Sequence, residues 1–158
     1  MWRVHPNCLT VEAVLVAAGL PGRVQILPDA APTAAAAAAL VGAEVGAIAN
    51  SLVFATAEGE PLLVLTSGAH RVDTAKVAAL VGTATLSRAT PEFVYATTGQ
   101  RIGGVAPVGH PKPLRTLVDL ALAAYPQVWA AGGIPHAVFP TTFDELVRLT
   151  RGTPADLE

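Results

Sequence analysis

The stretch Gly46–Ser67, GAIANSLVFATAEGEPLLVLTS, decides the fold of this chain of 158 residues. Two runs rich in apolar residues, 46–57 and 61–67, are separated by the polar triplet Glu58-Gly59-Glu60. Apolar and β-branched runs of this length are typical of strands, and a glycine in a short polar connection favours a hairpin. The stretch therefore predicts two neighbouring strands joined by a tight turn.

Helices are predicted on both sides of this hairpin from capping residues and apolar periodicity. A threonine or aspartate at the N-cap accepts a hydrogen bond from a free amide of the first turn, and glycine suits the left-handed residue that ends a helix. Proline suits the first helical position, and a Thr-x-x-Glu pattern forms a capping box. The predicted helices are Thr10–Gly19 with Thr10 as N-cap, the alanine-rich Thr33–Gly42, Asp73–Gly82, Thr90–Thr98 with Pro91 first, and Thr142–Leu149 with the capping pair Thr142 and Glu145.

Short strands and one loop rich in glycine and proline are predicted between these helices. The loop is Gln100–Pro113. Hairpin-like links occur beside strand-to-helix links, which argues for an α+β fold with a mixed sheet. No linker divides the chain, so residues 1–158 are expected to form a single domain. The predicted short strands are Arg23–Leu27, Thr83–Ser87, Arg115–Asp119, Val128–Ala131 and Ala137–Phe139.

The composition excludes several classes of protein. Hydrophobic residues make up 52% of the chain and charged residues 14%, with a net charge of -2. A chain this apolar is not intrinsically disordered, and a pI near 6.1 is not that of a polybasic nucleic-acid module. Its single cysteine, Cys8, cannot form an internal disulfide and is expected to pack as a small apolar residue. A reducing, cytoplasmic compartment is the corresponding expectation.

The mean hydropathy of +0.49 raises the question of a membrane span. The longest stretch without a charged residue is 120–143, which is long enough to cross a bilayer. It contains Pro126, Pro135 and Pro140, which would leave backbone groups unpaired in lipid. We therefore predict buried strands joined by a turn there, and no membrane partner. The chain also begins without the apolar segment of a signal peptide.

Common catalytic and cofactor motifs are missing from the sequence. The four histidines show no spacing typical of a metal site, and no GxGxxG, P-loop or GxSxG pattern occurs. We expect neither a metal nor a cofactor. The segment 97–110, TTGQRIGGVAPVGH, remains the candidate for chemistry, because adjacent glycines expose backbone amides that can hold an anion or oxyanion. From spacing alone, a tight turn between strands is the favoured explanation of this segment.

Three stretches in this order resemble the YbaK/EbsC family, the editing domain associated with prolyl-tRNA synthetase. They are Ile48–Phe54, the segment from Thr98-Gly99 to Gly109, and Val128–His136, and the resemblance spans about residues 10–149. It implies a mixed, barrel-like sheet flanked by helices and a metal-free, cofactor-free pocket. The implied activity is hydrolysis of the ester in mischarged aminoacyl-tRNA, typically proline tRNA that carries alanine or cysteine.

The resemblance also implies which residues carry the activity. Gly103 and Gly104 match the glycine pair that lines the pocket, and His136 follows the family's glycine turn. Asn50 stands where many members have a catalytically important lysine. The expected catalytic residues are therefore Asn50, Gly103, Gly104 and His136, with His136 as general base or ribose ligand. The expected substrate-binding residues are Ser51, Pro107, Gly109 and Gly133.

The substitution at Asn50 leaves alternatives open, because asparagine keeps hydrogen-bonding groups but has no charge. The chain is either a trans-editing hydrolase of altered specificity or a catalytically silent binding module on the same fold. A small-molecule esterase that uses the same pocket is a third reading. The partners expected for the first reading are the 3′ end of aminoacyl-tRNA and an aminoacyl-tRNA synthetase. With ten cationic side chains and a net charge of -2, tRNA binding should be weak and salt-dependent, unless a cationic cluster forms on one face. The residues that could form it are Arg71, Arg88, Arg101, Lys112 and Arg115.

Overall fold

A computed structural model describes residues 5–158 of the chain; residues 1–4, at the start of the stretch inspected for a signal peptide, lie outside it. The described part contains five α-helices and eight strands. In chain order the elements are α1 (Pro6–Ala17), β1 (Gln25–Ile26), α2 (Ala34–Val41), β2 (Ile48–Thr56), β3 (Pro61–Ser67), α3 (Thr74–Val81), β4 (Leu86–Arg88), α4 (Pro91–Thr98), β5 (Arg115–Asp119), β6 (Val128–Ala131), β7 (Ala137–Thr141), α5 (Phe143–Thr150) and β8 (Thr153–Ala155).

The strands form one mixed sheet in the order β1-β7-β6-β2-β3-β5-β8, with β4 paired to β2 beside this path. The predicted hairpin is confirmed, since β2 and β3 pair antiparallel from Ala49 opposite Ser67 to Ala55 opposite Pro61. Parallel pairs join β3 to β5, β5 to β8 and β2 to β6. The predicted α+β class with a mixed sheet is therefore confirmed.

One edge of β2 is shared by two different strands. β6 pairs with Ile48 and Ala49 at the start of β2, and β4 pairs with residues 54–56 at its end. Residues 50–52 have no partner strand on this edge among the described strands. The sheet is thus split along β2, at the segment that holds Asn50 and Ser51.

The two faces of the hairpin pack into different apolar clusters because side chains alternate along a strand. Ala49 and Val53 of β2 face the main core, which includes Leu15, Val118 and Phe139. Phe54 faces a second core that holds Leu62, Val64, Val77 and Leu157. A third, smaller cluster joins α2 to β2 through Ala37, Ala38 and Ile48.

Most helix ends are those that the capping residues predict. Thr33, Asp73, Thr90 and Thr142 accept hydrogen bonds from the first turns of α2, α3, α4 and α5. The prediction for α1 is wrong: His5 caps it, and Thr10 lies inside the helix, where its hydroxyl donates to the Pro6 carbonyl. The capping box of α5 is only half formed, because the Glu145 carboxylate accepts from the Thr141 hydroxyl.

The segment 120–143 forms a short helical turn and the antiparallel pair of β6 and β7. The expectation of buried strands joined by a turn is confirmed. Within residues 5–158, the structure has no helix long and apolar enough to cross a membrane. Cys8 is buried, and burial raises the pKa of its thiol, in agreement with its predicted packing role.

Candidate active site

The split edge of β2 turns backbone hydrogen-bonding groups toward a pocket. Backbone groups alternate between the two edges of a strand. The Ile48 carbonyl accepts from Gly68 on the β3 side at 2.8 Å, whereas the Val53 carbonyl accepts from the Ala89 amide, next to β4, at 3.1 Å. Ser51 has the parity of Val53, so its N–H and C=O point into the interval between β6 and β4.

A pocket of about 450 Å³ opens at this interval. It is bounded by the start of α2, by β2, by β6 and β7 and by the loop after α4. Its lining is mainly small and apolar, which suits a small side chain on a ligand. Seven alanines contribute to it: Ala31, Ala34, Ala37, Ala49, Ala130, Ala131 and Ala137.

Asn50 and Ser51 are consecutive residues of β2, with side chains on opposite faces of the strand, and both contribute to the lining. Asn50 is exposed, so its amide is open to a ligand. The Ser51 hydroxyl oxygen is buried and has no hydrogen-bond partner within the described chain. A buried hydroxyl without a partner costs about 1–3 kcal/mol. A ligand or water in the pocket that bonded to this oxygen would remove that cost.

The two predicted loop glycines have separate structural roles. Gly103 lines the pocket and has a φ of +94°, which glycine adopts with little strain. Gly104 is buried outside the lining, and a Cβ there would lie 2.3 Å from the carbonyl carbon of Ile134. Its amide donates to the Arg101 carbonyl at 3.3 Å. Of the pair, Gly103 is therefore the one that presents its backbone to a ligand.

A buried glutamine holds the loop in shape. The Gln100 side chain is 2% exposed, accepts from the Ala106 amide at 2.7 Å and donates to the Val108 carbonyl at 3.3 Å. His110 Nε2 donates to the Ala106 carbonyl at 2.8 Å, since a carbonyl can only accept. Burial lowers the pKa of His110, and the bond to Ala106 partly opposes this. Both side chains thus fix the segment that carries Gly103.

The other predicted site residues do not contribute to the lining of the pocket. Pro107 is buried in the loop, and Gly109 packs against Thr10 and the Gln100 amide. Gly133 has a φ of +110° and lies against Asn7, which donates to its carbonyl. His136 is exposed and lies in a separate depression with Val24, Ile26, Leu27 and Pro28. The structure therefore brings together Asn50, Ser51 and Gly103, and leaves His136 apart.

The charge of the pocket comes from a residue that the sequence did not single out as a site residue. Arg88, the last residue of β4, is the one ionisable side chain in the described lining. It lies over the Phe54 ring, with Cζ at 5.9 Å from the ring centroid. Arg88 becomes recognisable only when the register of β4 on β2 is known, because that pairing brings it beside Phe54. Among residues 5–158, no cluster of histidine, cysteine and acidic side chains could hold a metal ion.

Residues 28–149 match the family model for the aminoacyl-tRNA editing domain. The chain belongs to this family, and the resemblance to YbaK/EbsC proteins is confirmed. The match to the family begins after α1 and β1 and includes every residue of the pocket lining.

Solved structures agree with this assignment over the whole chain. A protein described as a candidate trans-editing enzyme for prolyl-tRNA synthetase is 46% identical, with a TM-score of 0.92 and coverage of 99% of both chains. A scaffold protein used in computational epitope grafting is 44% identical, with a TM-score of 0.90 and coverage of 98% of each chain. A hypothetical protein is 30% identical, with a TM-score of 0.86, over 94% of this chain and 98% of that one.

Proposed function

We propose that this protein is a trans-editing hydrolase that deacylates mischarged aminoacyl-tRNA, with proline tRNA carrying alanine or cysteine as the substrate class. The observation that carries the proposal is the small pocket at the split edge of β2, which combines the exposed Asn50 amide with the unpartnered Ser51 hydroxyl. Membership of the editing-domain family supports the ester of aminoacyl-tRNA as the reacting group.

The pocket lining supports a small aminoacyl group. Methyl groups of alanine residues form much of the wall, and each additional methylene in such a pocket changes binding by only about 1–3 kcal/mol. Alanine and cysteine esters therefore fit the space without a charged ligand for the side chain. Discrimination against larger residues would come from the wall formed by Ile48, Ile134 and Val138.

The proposed reaction is the hydrolysis of one ester bond. A water oxygen attacks the carbonyl carbon, and the carbonyl oxygen takes up negative charge in the tetrahedral intermediate. The bond between the carbonyl carbon and the ribose oxygen then breaks. The hydroxyl of the water stays on the amino acid, and its other proton is transferred to the ribose oxygen. The backbone amides of Ser51 and Gly103 and the Asn50 side chain are the proposed donors to the oxyanion, because preorganised donors stabilise developing charge. The Ser51 hydroxyl, which has no partner within the described chain, is the proposed hydrogen-bond partner of the attacking water.

The lining of the described pocket offers no carboxylate or imidazole to accept the proton of the water. The enzyme-catalysed rate should therefore rise steadily with pH, without an inflection near the ordinary histidine pKa of about 6.5. Single-turnover deacylation, corrected for the spontaneous reaction at each pH, measures this profile. A clear inflection would instead indicate that an ionisable side chain acts as the general base.

A silent binding module is the second candidate, and Asn50 is the observation that favours it. A charged hydrogen bond is about twice as strong as a neutral one, so loss of the family lysine weakens transition-state binding if nothing replaces it. Arg88 supplies positive charge to the same lining and favours the hydrolase. A trans-editing hydrolase would receive its mischarged tRNA from an aminoacyl-tRNA synthetase. It would act in the cytoplasm, where tRNA is charged.

A deacylation panel separates the two candidates. Proline tRNA charged with alanine, cysteine or serine is incubated with the wild type and with the Asn50→Lys and Ser51→Ala variants. The hydrolase predicts measurable wild-type rates, and a loss of about 10- to 100-fold for Ser51→Ala if a hydrogen bond of about 1.5–3 kcal/mol is made in the transition state. Ser87→Ala and Gln127→Lys are matched controls, because both residues are exposed and outside the pocket lining.

The Asn50→Lys variant tests whether the loss of the lysine charge limits activity or whether asparagine at this position suits the enzyme's own substrate. A gain in rate indicates that the lost charge limits activity, whereas a reduced rate indicates that Asn50 is itself adapted to its substrate. If the folded wild type and both variants leave every ester intact, the hydrolase is excluded and the binding module remains.

A further inference from the structure

The segment 88–105 leaves the pocket and returns to it. Arg88 lies in the lining at the end of β4, α4 follows, and Ile102, Gly103 and Val105 lie in the lining again. Ile102 therefore lies at the pocket, with Arg101 beside it in the chain and Tyr95 joined to Arg101 by a stacking contact. We use the term rim for Arg88, Tyr95, Arg101 and Ile102.

The rim is exposed and combines an aromatic, an aliphatic and two cationic side chains. Tyr95 is 49% exposed and Ile102 is 48% exposed. Arg101 is also exposed, with its guanidinium carbon 4.7 Å from the centre of the Tyr95 ring. Tyr95 and Ile102 belong to none of the three apolar clusters described for residues 5–158, so packing inside the fold does not account for them.

This chemistry fits single-stranded RNA. Bases stack on aromatic rings and on guanidinium planes, and phosphates pair with arginine. The chain as a whole carries a net charge of -2, so two arginines beside one pocket are a local concentration of positive charge. Glu92 lies three residues before Tyr95 on α4 and is the nearest acidic group along that helix face.

We propose that the rim binds the unpaired nucleotides at the 3′ end of the tRNA whose terminal ester enters the pocket. This inference rests on the proposed function for the identity of the RNA. A base stacks on the paired Tyr95 and Arg101, and Ile102 supports the terminal ribose at the pocket mouth. Arg88 and Arg101 contact the phosphates on either side of that base.

Binding of a short, fluorescently labelled single-stranded RNA that ends in CCA tests the rim without any catalytic step. Loss of one stacking contact worth about 1–3 kcal/mol predicts that Tyr95→Ala weakens binding by about 5- to 100-fold. Arg101→Gln should also lower the slope of log affinity against log salt by about 0.7, the value for one phosphate on a single strand. Glu92→Gln should strengthen binding, because it removes a negative charge from the same helix face.

Two matched variants control for general effects on the surface. Leu80→Ala removes an exposed apolar side chain from α3, and Arg148→Gln removes an exposed cation from α5. Both should leave RNA affinity and its salt dependence unchanged. Because all the rim residues are exposed, circular dichroism is expected to show a folded protein for every variant.

Activity measurements then separate this inference from the proposed function. The Tyr95→Ala and Arg101→Gln variants should raise KM for aminoacyl-tRNA but leave the hydrolysis of a simple alanine ester unchanged, because neither residue lines the pocket. If no ester is hydrolysed but Tyr95→Ala and Arg101→Gln still weaken RNA binding, the rim assignment stands and the hydrolase fails. If the wild type does not bind the RNA, or the rim variants bind it as well as the wild type does, the inference is overturned. A protein partner would then be the remaining ligand for this surface.

Discussion

Gln100 shows how one buried side chain can fix a functional loop. Its amide joins the Ala106 amide to the Val108 carbonyl across the loop that carries Gly103. In Gln100→Ala both backbone groups would lose their partner, which costs about 1–3 kcal/mol of unfolding free energy. Urea denaturation measures the loss, and faster hydrogen exchange at the Ala106 amide locates it. The exposed Gln127→Ala is the control, and an equal effect there would contradict the assignment.

His110 makes the same loop sensitive to acid. Burial lowers its pKa from the ordinary value of 6.5, so the unfolded chain binds a proton more readily than the folded one. The stability that depends on neutral His110 is present above pH 6.5 and is lost as the pH falls below it. The His110→Gln variant should show a weaker fall in unfolding free energy between pH 7 and pH 5 than the wild type. Parallel pH curves for the two proteins would contradict this.

At the scale of single residues, the sequence predicted several residues of the pocket but not the contacts that hold the site together. Asn50, Ser51 and Gly103 were singled out, and all three line the pocket. Gln100 and Arg88 were not named as site residues. The importance of Gln100 depends on how its own loop folds back on the side chain, and that of Arg88 on the register of β4 against β2. His136 follows the glycine turn in sequence, but the hairpin of β6 and β7 places it outside the pocket lining.

At the scale of elements, the loop after α4 and the turn between β6 and β7 must approach closely. A Cβ at Gly104 would collide with the Ile134 backbone, whereas one at Gly103 would meet nothing within 4 Å. Gly103→Ala should therefore cost about 1–2 kcal/mol from its left-handed φ alone. Gly104→Ala should cost more, because the backbone of one loop has to move. Thermal and urea unfolding of the two variants give the ranking, and the reverse order would be inconsistent with this packing.

Elements with strong local signals were predicted within a few residues. Four of the five helices begin at the expected threonine or aspartate, and the β2–β3 hairpin follows from its alternating pattern and polar turn. β8 was missed because three residues around Pro154 carry little signal, and only parallel pairing to β5 makes them a strand. The cap of α1 was missed because histidine is an uncommon N-cap.

At the scale of the whole molecule, the second core is closed by the last residues of the described chain. Leu157 is fully buried among Phe54, Leu62 and Val77, and its carbonyl accepts from the Asp73 amide. Leu157→Ala should lower the unfolding free energy by about 2–5 kcal/mol. The midpoint of thermal unfolding should fall by about 2–4 °C per kcal/mol. Leu120→Ala, at a site 49% exposed, is the control and should have little effect.

The split edge of β2 also determines when the pocket can exist. Its walls come from chain segments as far apart as Ala31 and Val138. The parallel pairing of Ile48 with Trp129 has to close a loop of about half the chain, and such distant contacts form slowly. A ribosome-bound chain that lacks β6 and β7 has no cavity at Ser51. Its ability to bind a ligand therefore arises only near the end of synthesis.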